Sequence, residues 1–339
     1  MHERGTNILF IRLQAIGDCV GVFPYLRSLR SAYPWYRISF MTQPEVADVA
    51  RAMTFLENVH VVRSGHNRAT RLMLALPAAF DAASHGYDWI LDLQDSPISR
   101  VICRMSLRSS RATMEKFEHK HHAERFIDVV RYSGLDPDGC LRPALPEDAP
   151  LTLDDYRDPD IGLRALKRLG IEPDCELVVL NPGGAYPSRN WAVENYAEFA
   201  ERFRESGHRN AEFLALGTEN RLGKKARRLA RAVAGFHNLV GRTTLLEAMA
   251  ILQHADLVVS EDSGLLHMAW TAGRPTVGIL GSSSSYWGKP LGRHTASLDS
   301  SNLPCAWCLK PECPLGHYRC LTQYTPATVL SEAARLMKR

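Results

Sequence analysis

The residues with the clearest chemical meaning are Ser260-Glu261-Asp262-Ser263-Gly264-Leu265-Leu266-His267. They follow an apolar run, Ala255-Asp256-Leu257-Val258-Val259, that reads as a buried strand. They precede Met268 to Gly273, which reads as a helix closed by glycine. Such a strand-to-helix turn sets backbone N–H groups and a helix N-terminus at the carboxyl edge of a sheet, a geometry suited to an anionic ligand. Asp262 and His267 beside it could engage a sugar.

Two further loops have a comparable character. Asn181-Pro182-Gly183-Gly184-Ala185-Tyr186-Pro187-Ser188-Arg189-Asn190-Trp191 follows an apolar segment. Adjacent glycines permit close approach of backbone to a ligand, and Arg189 can meet phosphate with a two-pronged fork. The plainer reading is a turn with an exposed arginine. Near the start, Arg12-Leu13-Gln14-Ala15-Ile16-Gly17-Asp18 leaves a short strand. Asp18 is either a catalytic carboxylate or a helix cap.

Cys305, Cys308, Cys313 and Cys320 lie within 16 positions. Four thiolates at that spacing can close a tetrahedral site for zinc or iron, and His317 could replace one sulfur. Four reduced thiols, or one disulfide, are the alternatives. A metal held this way would be structural, because no ligand position remains for substrate. Cys19, Cys103, Cys140 and Cys175 are scattered and read as ordinary thiols. The run His119-Lys120-His121-His122 reads as a solvated helix start rather than a metal site, and the basic run Arg221–Arg231 as the solvated face of a helix.

The elements that position these loops alternate between strand and helix. Strands are expected at Asn7–Leu13, Ile38–Met41, Asn58–Val62 and Trp89–Leu93, then at Leu177–Leu180, Phe213–Leu216, Leu257–Val259 and Thr276–Leu280. Helices are expected after Asp18, with Pro24 in the first turns, and at Arg71–Phe80, Glu194–Glu205, Lys224–Val233, Leu245–Gln253 and Pro326–Met337. Such βα alternation implies parallel sheets covered by helices. Pro137–Asp160 lacks periodicity and reads as a linker. The chain thus divides into residues 1–155, 156–325 and a terminal helix, 326–339. Two doubly wound α/β domains facing a cleft are expected. No G-x-G-x-x-G follows the first strand and no G-x-x-x-x-G-K-[ST] occurs, which disfavours dinucleotide binding and P-loop chemistry.

Together the loops resemble the bacterial heptosyltransferases. The carriers are Ile11-Arg12-Leu13…Gly17-Asp18, Asn181-Pro182-Gly183-Gly184…Arg189-Asn190-Trp191, Asp262 to His267 followed by Gly273-Arg274-Pro275, and, more weakly, Asp92-Leu93-Gln94. The resemblance spans nearly the whole chain. It implies a GT-B fold of two Rossmann-like domains and inverting transfer of heptose from ADP-heptose to an acceptor hydroxyl, without a catalytic metal. The acceptor would be a lipopolysaccharide core or another glycan, or alternatively serine or threonine of an autotransporter adhesin. By the same resemblance Asp18 is the general base, Arg189 neutralises the leaving diphosphate, and Asp262 holds the heptose hydroxyls. Ser263, Gly264 and Leu265 form the backbone platform for the diphosphate, with Gly184 and Ala185 opposite and His267 one helical turn on. Glu219 is matched to the ribose and Thr243 to the adenine pocket, though either could cap a helix. The sequence departs from the family at Gly184-Ala185, where hydroxyl residues are expected, and at Arg189, where lysine is frequent. The cysteine cluster resembles the iron site of autotransporter heptosyltransferases. Arg63, His66, Arg68 and the histidine run would give the acceptor side a basic lining.

Composition agrees with a folded globular protein and argues against disorder. Of 339 residues, 45% are hydrophobic and 23% charged, with a net charge of +4. That bias is too small to argue for nucleic acid. No secretion signal and no run of roughly 18 apolar residues is present, so a cytoplasmic protein is expected. A peripheral membrane contact and a homo-oligomer both stay open.

Overall fold

The computed structural model describes residues 5–63, 68–106, 109–114, 120–172 and 174–338, with the backbone alone at 68, 69, 71 and 72. His66, His119 and the side chain of Arg68 lie outside the described residues. The chain forms two compact units. The first comprises residues 1–145 with 154–157, and the second residues 146–153 with 158–339.

In the first unit the strands are β1 (Thr6–Ile11), β2 (Tyr36–Thr42), β3 (Val59–Val61), β4 (Trp89–Asp92) and β5 (Ser110–Thr113). They form one sheet in the order β3-β2-β1-β4-β5, and every pairing is parallel. In the second unit β6 (Leu177–Asn181), β7 (Glu212–Ala215), β8 (Phe236–Asn238), β9 (Leu257–Glu261), β10 (Thr276–Ile279) and β11 (Thr295–Leu298) take the order β11-β10-β9-β6-β7-β8, again parallel throughout. Both sheets are doubly wound. The strand order reverses between β1 and β4 in the first and between β6 and β9 in the second, and a crevice opens beyond the carboxyl ends of strands at such a point.

The central strands are apolar on both faces because helices cover both. β6 and β9 are buried from end to end. Val178, Leu180, Val259 and Ile279 pack with Trp191, Tyr196, Phe199 and Phe203 in one core. The terminal helix Pro326–Met337 closes that core with Val329, Ala333 and Leu336.

The segment read as a linker is ordered and divided between the units. Leu151 N–H donates to Thr271 O at 2.8 Å, while Thr54 and Arg157 N–H bond Asp155 O and Ala52 O at 2.8 and 2.7 Å. Backbone bonding rather than side-chain periodicity holds it. The histidine run does start a helix, His122–Tyr132. That start is not solvated, since His121 and His122 are both buried. His121 caps the helix, its Nδ1 accepting from Ala123 N–H at 3.1 Å.

Candidate active site

In the first unit the loop after β1 carries Asp18 in the first turn of the helix Ile16–Gly21. The residue before that helix, Ala15, makes no side-chain cap, so Asp18 does not serve as the N-cap. Its Oδ2 instead accepts from Arg12 Nη2. Arg12 is held in turn, because Nη1 donates to Leu93 O. Gln94 Oε1 accepts both Leu13 N–H at 3.0 Å and Gln14 N–H at 2.8 Å. Leu93 and Gln94 follow β4, the strand across the switch point from β1. The weak Asp92-Leu93-Gln94 motif therefore fixes the loop that carries Asp18. Asp18 keeps 40% of its side chain exposed. Behind it, burial followed by the charge of Arg12 lowers the pKa of His122, and the same two causes lower that of Arg125.

In the second unit the loops after β6 and β9 meet at the switch point. Arg189 Nη1 lies 2.9 Å from Asp262 Oδ2, with both side chains about one-fifth exposed. Ser283 Oγ donates to the same carboxylate oxygen. Arg189 also stacks over Tyr186, its guanidinium carbon 5.6 Å from the ring centre. Ser263 precedes the helix Gly264–Thr271 as its N-cap. The Ser263 hydroxyl accepts from Asn181 Nδ2 at 2.8 Å, which ties the ends of β6 and β9 together. Leu265 is buried within that helix, and His267 lies against Gly288. Ala185 is exposed at the loop surface. Gly184 cannot carry a side chain, because a Cβ there would stand 2.3 Å from Arg189 O.

Glu219 opens the helix Glu219–Ala232 and pairs with Arg227, while Thr218 occupies the N-cap. Thr243 lies just before the helix Leu245–Leu252, which Thr244 caps. Gly241 N–H bonds Gly217 O at 2.8 Å, so the loops holding Glu219 and Thr243 are brought together.

Cys305, Cys308, Cys313, Cys320 and His317 line one cavity of about 30 Å³. Cys305 Sγ and Cys313 Sγ each approach a ring nitrogen of His317 at 3.9 Å. A backbone hydrogen bond from Tyr318 leads in lowering the Cys313 pKa. Burial first, then the charges of Cys308, Cys313 and Cys305, push Cys320 up to about 11. Four thiols and an imidazole lining one cavity suit a thiophilic cation, so donor chemistry fits. The sulfurs are not drawn to a point. Among the described residues, the set of three whose ligand atoms lie within 4.8 Å of one another is His60, Asp81 and His85. Spacing along the chain hid that set, because sheet and helix bring it together.

Sequence reasoning missed Glu261 and Lys225 as site residues. Glu261 was read as part of the polar turn after a strand ending at Val259, whereas it is the buried last residue of β9, and Lys225 was read within a run of surface cations. Lys225 departs from the solvated-face reading, since it is only 24% exposed and lies 3.6 Å from Glu261.

A doubly wound parallel unit with a paired cation and carboxylate at its switch point is suited to a nucleotide-bearing ligand. The chain belongs to glycosyltransferase family 9 (heptosyltransferase), whose model matches residues 82–319, and it is therefore a glycosyltransferase. It is 23% identical to a lipooligosaccharide heptosyltransferase 2 of Campylobacter jejuni serotype O:6, over 97% of this chain and 98% of that one. A relative of the same name from serotype O:2 is 27% identical, but over only 48% of this chain and 51% of its own length. In fold, the chain is similar to the Escherichia coli ADP-heptose lipopolysaccharide heptosyltransferase II, with TM-score 0.75, 18% identity and coverage of 98% and 99%. It is also similar in fold to the iron-containing dodecameric glycosyltransferase TibC of enterotoxigenic E. coli, with TM-score 0.53, 15% identity and coverage of 99% and 77%. Among the described residues, no helix is long and apolar enough to cross a membrane.

Proposed function

We propose that this glycosyltransferase is an inverting enzyme of the cytoplasm. It moves a heptose from ADP-heptose to an acceptor hydroxyl of a lipopolysaccharide core or a related glycan. The observation that carries the reading is the Arg189–Asp262 pair at the β6–β9 switch point. One member suits a diphosphate and the other the hydroxyls of the attached sugar. In this reading Arg189 and the backbone N–H groups of Ser263, Gly264 and Leu265 stabilise charge gathering on the departing ADP, the main source of rate enhancement in such chemistry. Gly184 and Ala185 shape the loop opposite, and His267 lines the sugar side. Glu219 and Thr243 receive the nucleoside. Asp18 takes the proton of the attacking hydroxyl, with Arg12 holding its carboxylate in place. Residues 1–155 would serve the acceptor and 156–325 the donor. The chain resembles in fold the Escherichia coli ADP-heptose lipopolysaccharide heptosyltransferase II, which supports the donor assignment.

Cys305, Cys308, Cys313 and Cys320 would hold one structural iron or zinc. The similarity in fold to an iron-containing glycosyltransferase supports that assignment. The resemblance of the cluster to that of autotransporter heptosyltransferases keeps a second acceptor class in view, hydroxyls of a protein. The deciding experiment incubates the protein with ADP-heptose and separate lipid and protein acceptor fractions, then follows released ADP and mass. A gain of heptose mass in the lipid fraction supports the first acceptor and in the protein fraction the second. No ADP release with either would reject the donor.

A further inference from the structure

The loop that carries Arg189 is wrapped around a buried carboxylate. Glu261, the last residue of β9, is fully buried. Its Oε2 accepts Gly184 N–H at 2.7 Å, and its Oε1 accepts Trp191 N–H at 2.6 Å. These two amides flank Arg189 in sequence. Lys225 Nζ lies 3.6 Å from Oε2 and itself donates to Pro182 O at 2.7 Å and to Asn190 Oδ1. One ion pair thus grips both ends of the loop, at Pro182 and Gly184 and at Asn190 and Trp191.

We propose that Glu261, assisted by Lys225, is a positioning residue for the donor: its ionised carboxylate templates the Pro182–Trp191 loop and so sets Arg189 against Asp262 to receive a sugar-linked diphosphate. The inference rests on the reading of this crevice as the donor site. Glu261 cannot itself meet the ligand, because it has no exposed surface. Its Gly184 contact also means that this amide is spent internally, so the loop presents Arg189 and its outer face to the phosphates.

A template of this kind is sensitive to charge. A carboxylate accepts two N–H bonds at once, whereas its protonated form offers one good acceptor and a donor. Burial is the largest influence on Glu261 and pushes its pKa up to about 7, against Lys225 and the two amides, which favour the ionised form. Two titratable groups act on it, Lys225 from the helix Glu219–Ala232 and Tyr196 from the helix Val193–Glu205. Tyr196 stays neutral, since burial holds its pKa well above the ordinary value. The carboxyl is therefore mostly ionised above about pH 7 and mostly protonated below it. The loop should be templated on the alkaline side and lose its template as the pH falls.

Two measurements on the full-length protein test this. In nuclear magnetic resonance, the Gly184 and Trp191 amide signals of the wild type should move together with a midpoint near pH 7. Glu261→Gln should abolish that titration. Lys225→Met removes the favourable charge and should shift the midpoint upward. By calorimetry without acceptor, ADP-heptose, whose diphosphate is a diester, should bind the wild type about 10-fold more weakly at about pH 6 than at about pH 8, following the ionised fraction. Glu261→Gln should bind it more weakly than the wild type at about pH 8 and with little change between the two. Amide signals that do not titrate, or a variant with wild-type affinity and the wild-type pH profile, would overturn the proposal. Should Glu261→Gln fail to fold, an unshifted midpoint in Lys225→Met overturns it equally. Amides that titrate in a protein that binds no ADP-heptose would reject the donor reading and leave the template standing.

Discussion

Replacing Asp262 with alanine should separate two affinities that a general loss of structure would lower together. The Arg189 guanidinium is engaged by Asp262 at 2.9 Å before any ligand arrives. A diphosphate must draw that charge away from the carboxylate. A hydrogen bond to a charged group contributes ~1.5–3 kcal/mol. Removing Asp262 deletes the competitor for Arg189 but also its orienting contact, so ADP should bind at least as tightly, within about 5-fold of the wild type. ADP-heptose gains the same release and loses its own carboxylate contact. The ratio of its dissociation constant to that of ADP should rise by ~10- to 100-fold, since ~1.4 kcal/mol is a factor of ten. Arg189→Ala should weaken both ligands by similar factors and leave Asp262 repelling the phosphates. The double variant should then recover part of the ADP loss, a coupling with a defined sign. Calorimetry with each ligand, alongside circular dichroism for folding, reads all four proteins. If Asp262→Ala weakens ADP as much as ADP-heptose in a folded protein, the carboxylate serves the diphosphate site or the fold, and the sugar contact is wrong.

Asp18→Asn should lower turnover by about 100-fold or more while donor affinity stays near normal, and steady-state kinetics giving near-normal turnover would remove Asp18 from the role of base. Gln94→Ala strips the acceptor from Leu13 and Gln14 N–H, and should lower stability by ~1–3 kcal/mol and reduce turnover without changing donor affinity. A melting curve and turnover both unchanged would show that the loop after β1 is fixed by other means. Elemental analysis of fresh protein should find about one zinc or iron per chain, and replacing Cys305 and Cys308 with serine should release it and lower the melting temperature. Stoichiometric free thiols with no metal would show the cluster to be four reduced cysteines.

The alternation of strands and helices was legible because central strands of parallel sheets carry unbroken apolar runs, as in Leu177–Leu180 of β6 and Leu257–Val259 of β9. What escaped was short or exposed. Ser110–Thr113 is a mostly exposed strand at a sheet edge, and Phe236–Asn238 is only half-buried, so neither shows an apolar run. Among the candidate residues, Asp18 in the first unit and Arg189 and Asp262 in the second could be marked by residue type and loop position. Their partners could not. Leu13 and Gln94 are separated by 81 residues, and Gly184 and Glu261 by 77, distances that only strand order closes. Glu261 also stood in what read as the polar turn beyond Val259, and a buried acid is recognisable only once the amides it serves are in place.

The two units solve one problem in the same way. Each sends an arginine and an aspartate to its switch point, Arg12 with Asp18 and Arg189 with Asp262. Each then secures the loop after its first strand from the strand across the crevice, by Leu93 and Gln94 beyond β4 and by Glu261 at the end of β9. The difference lies in the fastener. Gln94 is a neutral amide whose bonds to Leu13 and Gln14 do not depend on pH near neutrality. Glu261 is a carboxyl that changes charge there. Acidification through neutrality should accordingly act on donor binding through the second unit's loop and leave the Gln94 clasp of the first intact, so that a donor-affinity profile and the Leu13 and Gln14 amide signals would part company across the same pH range.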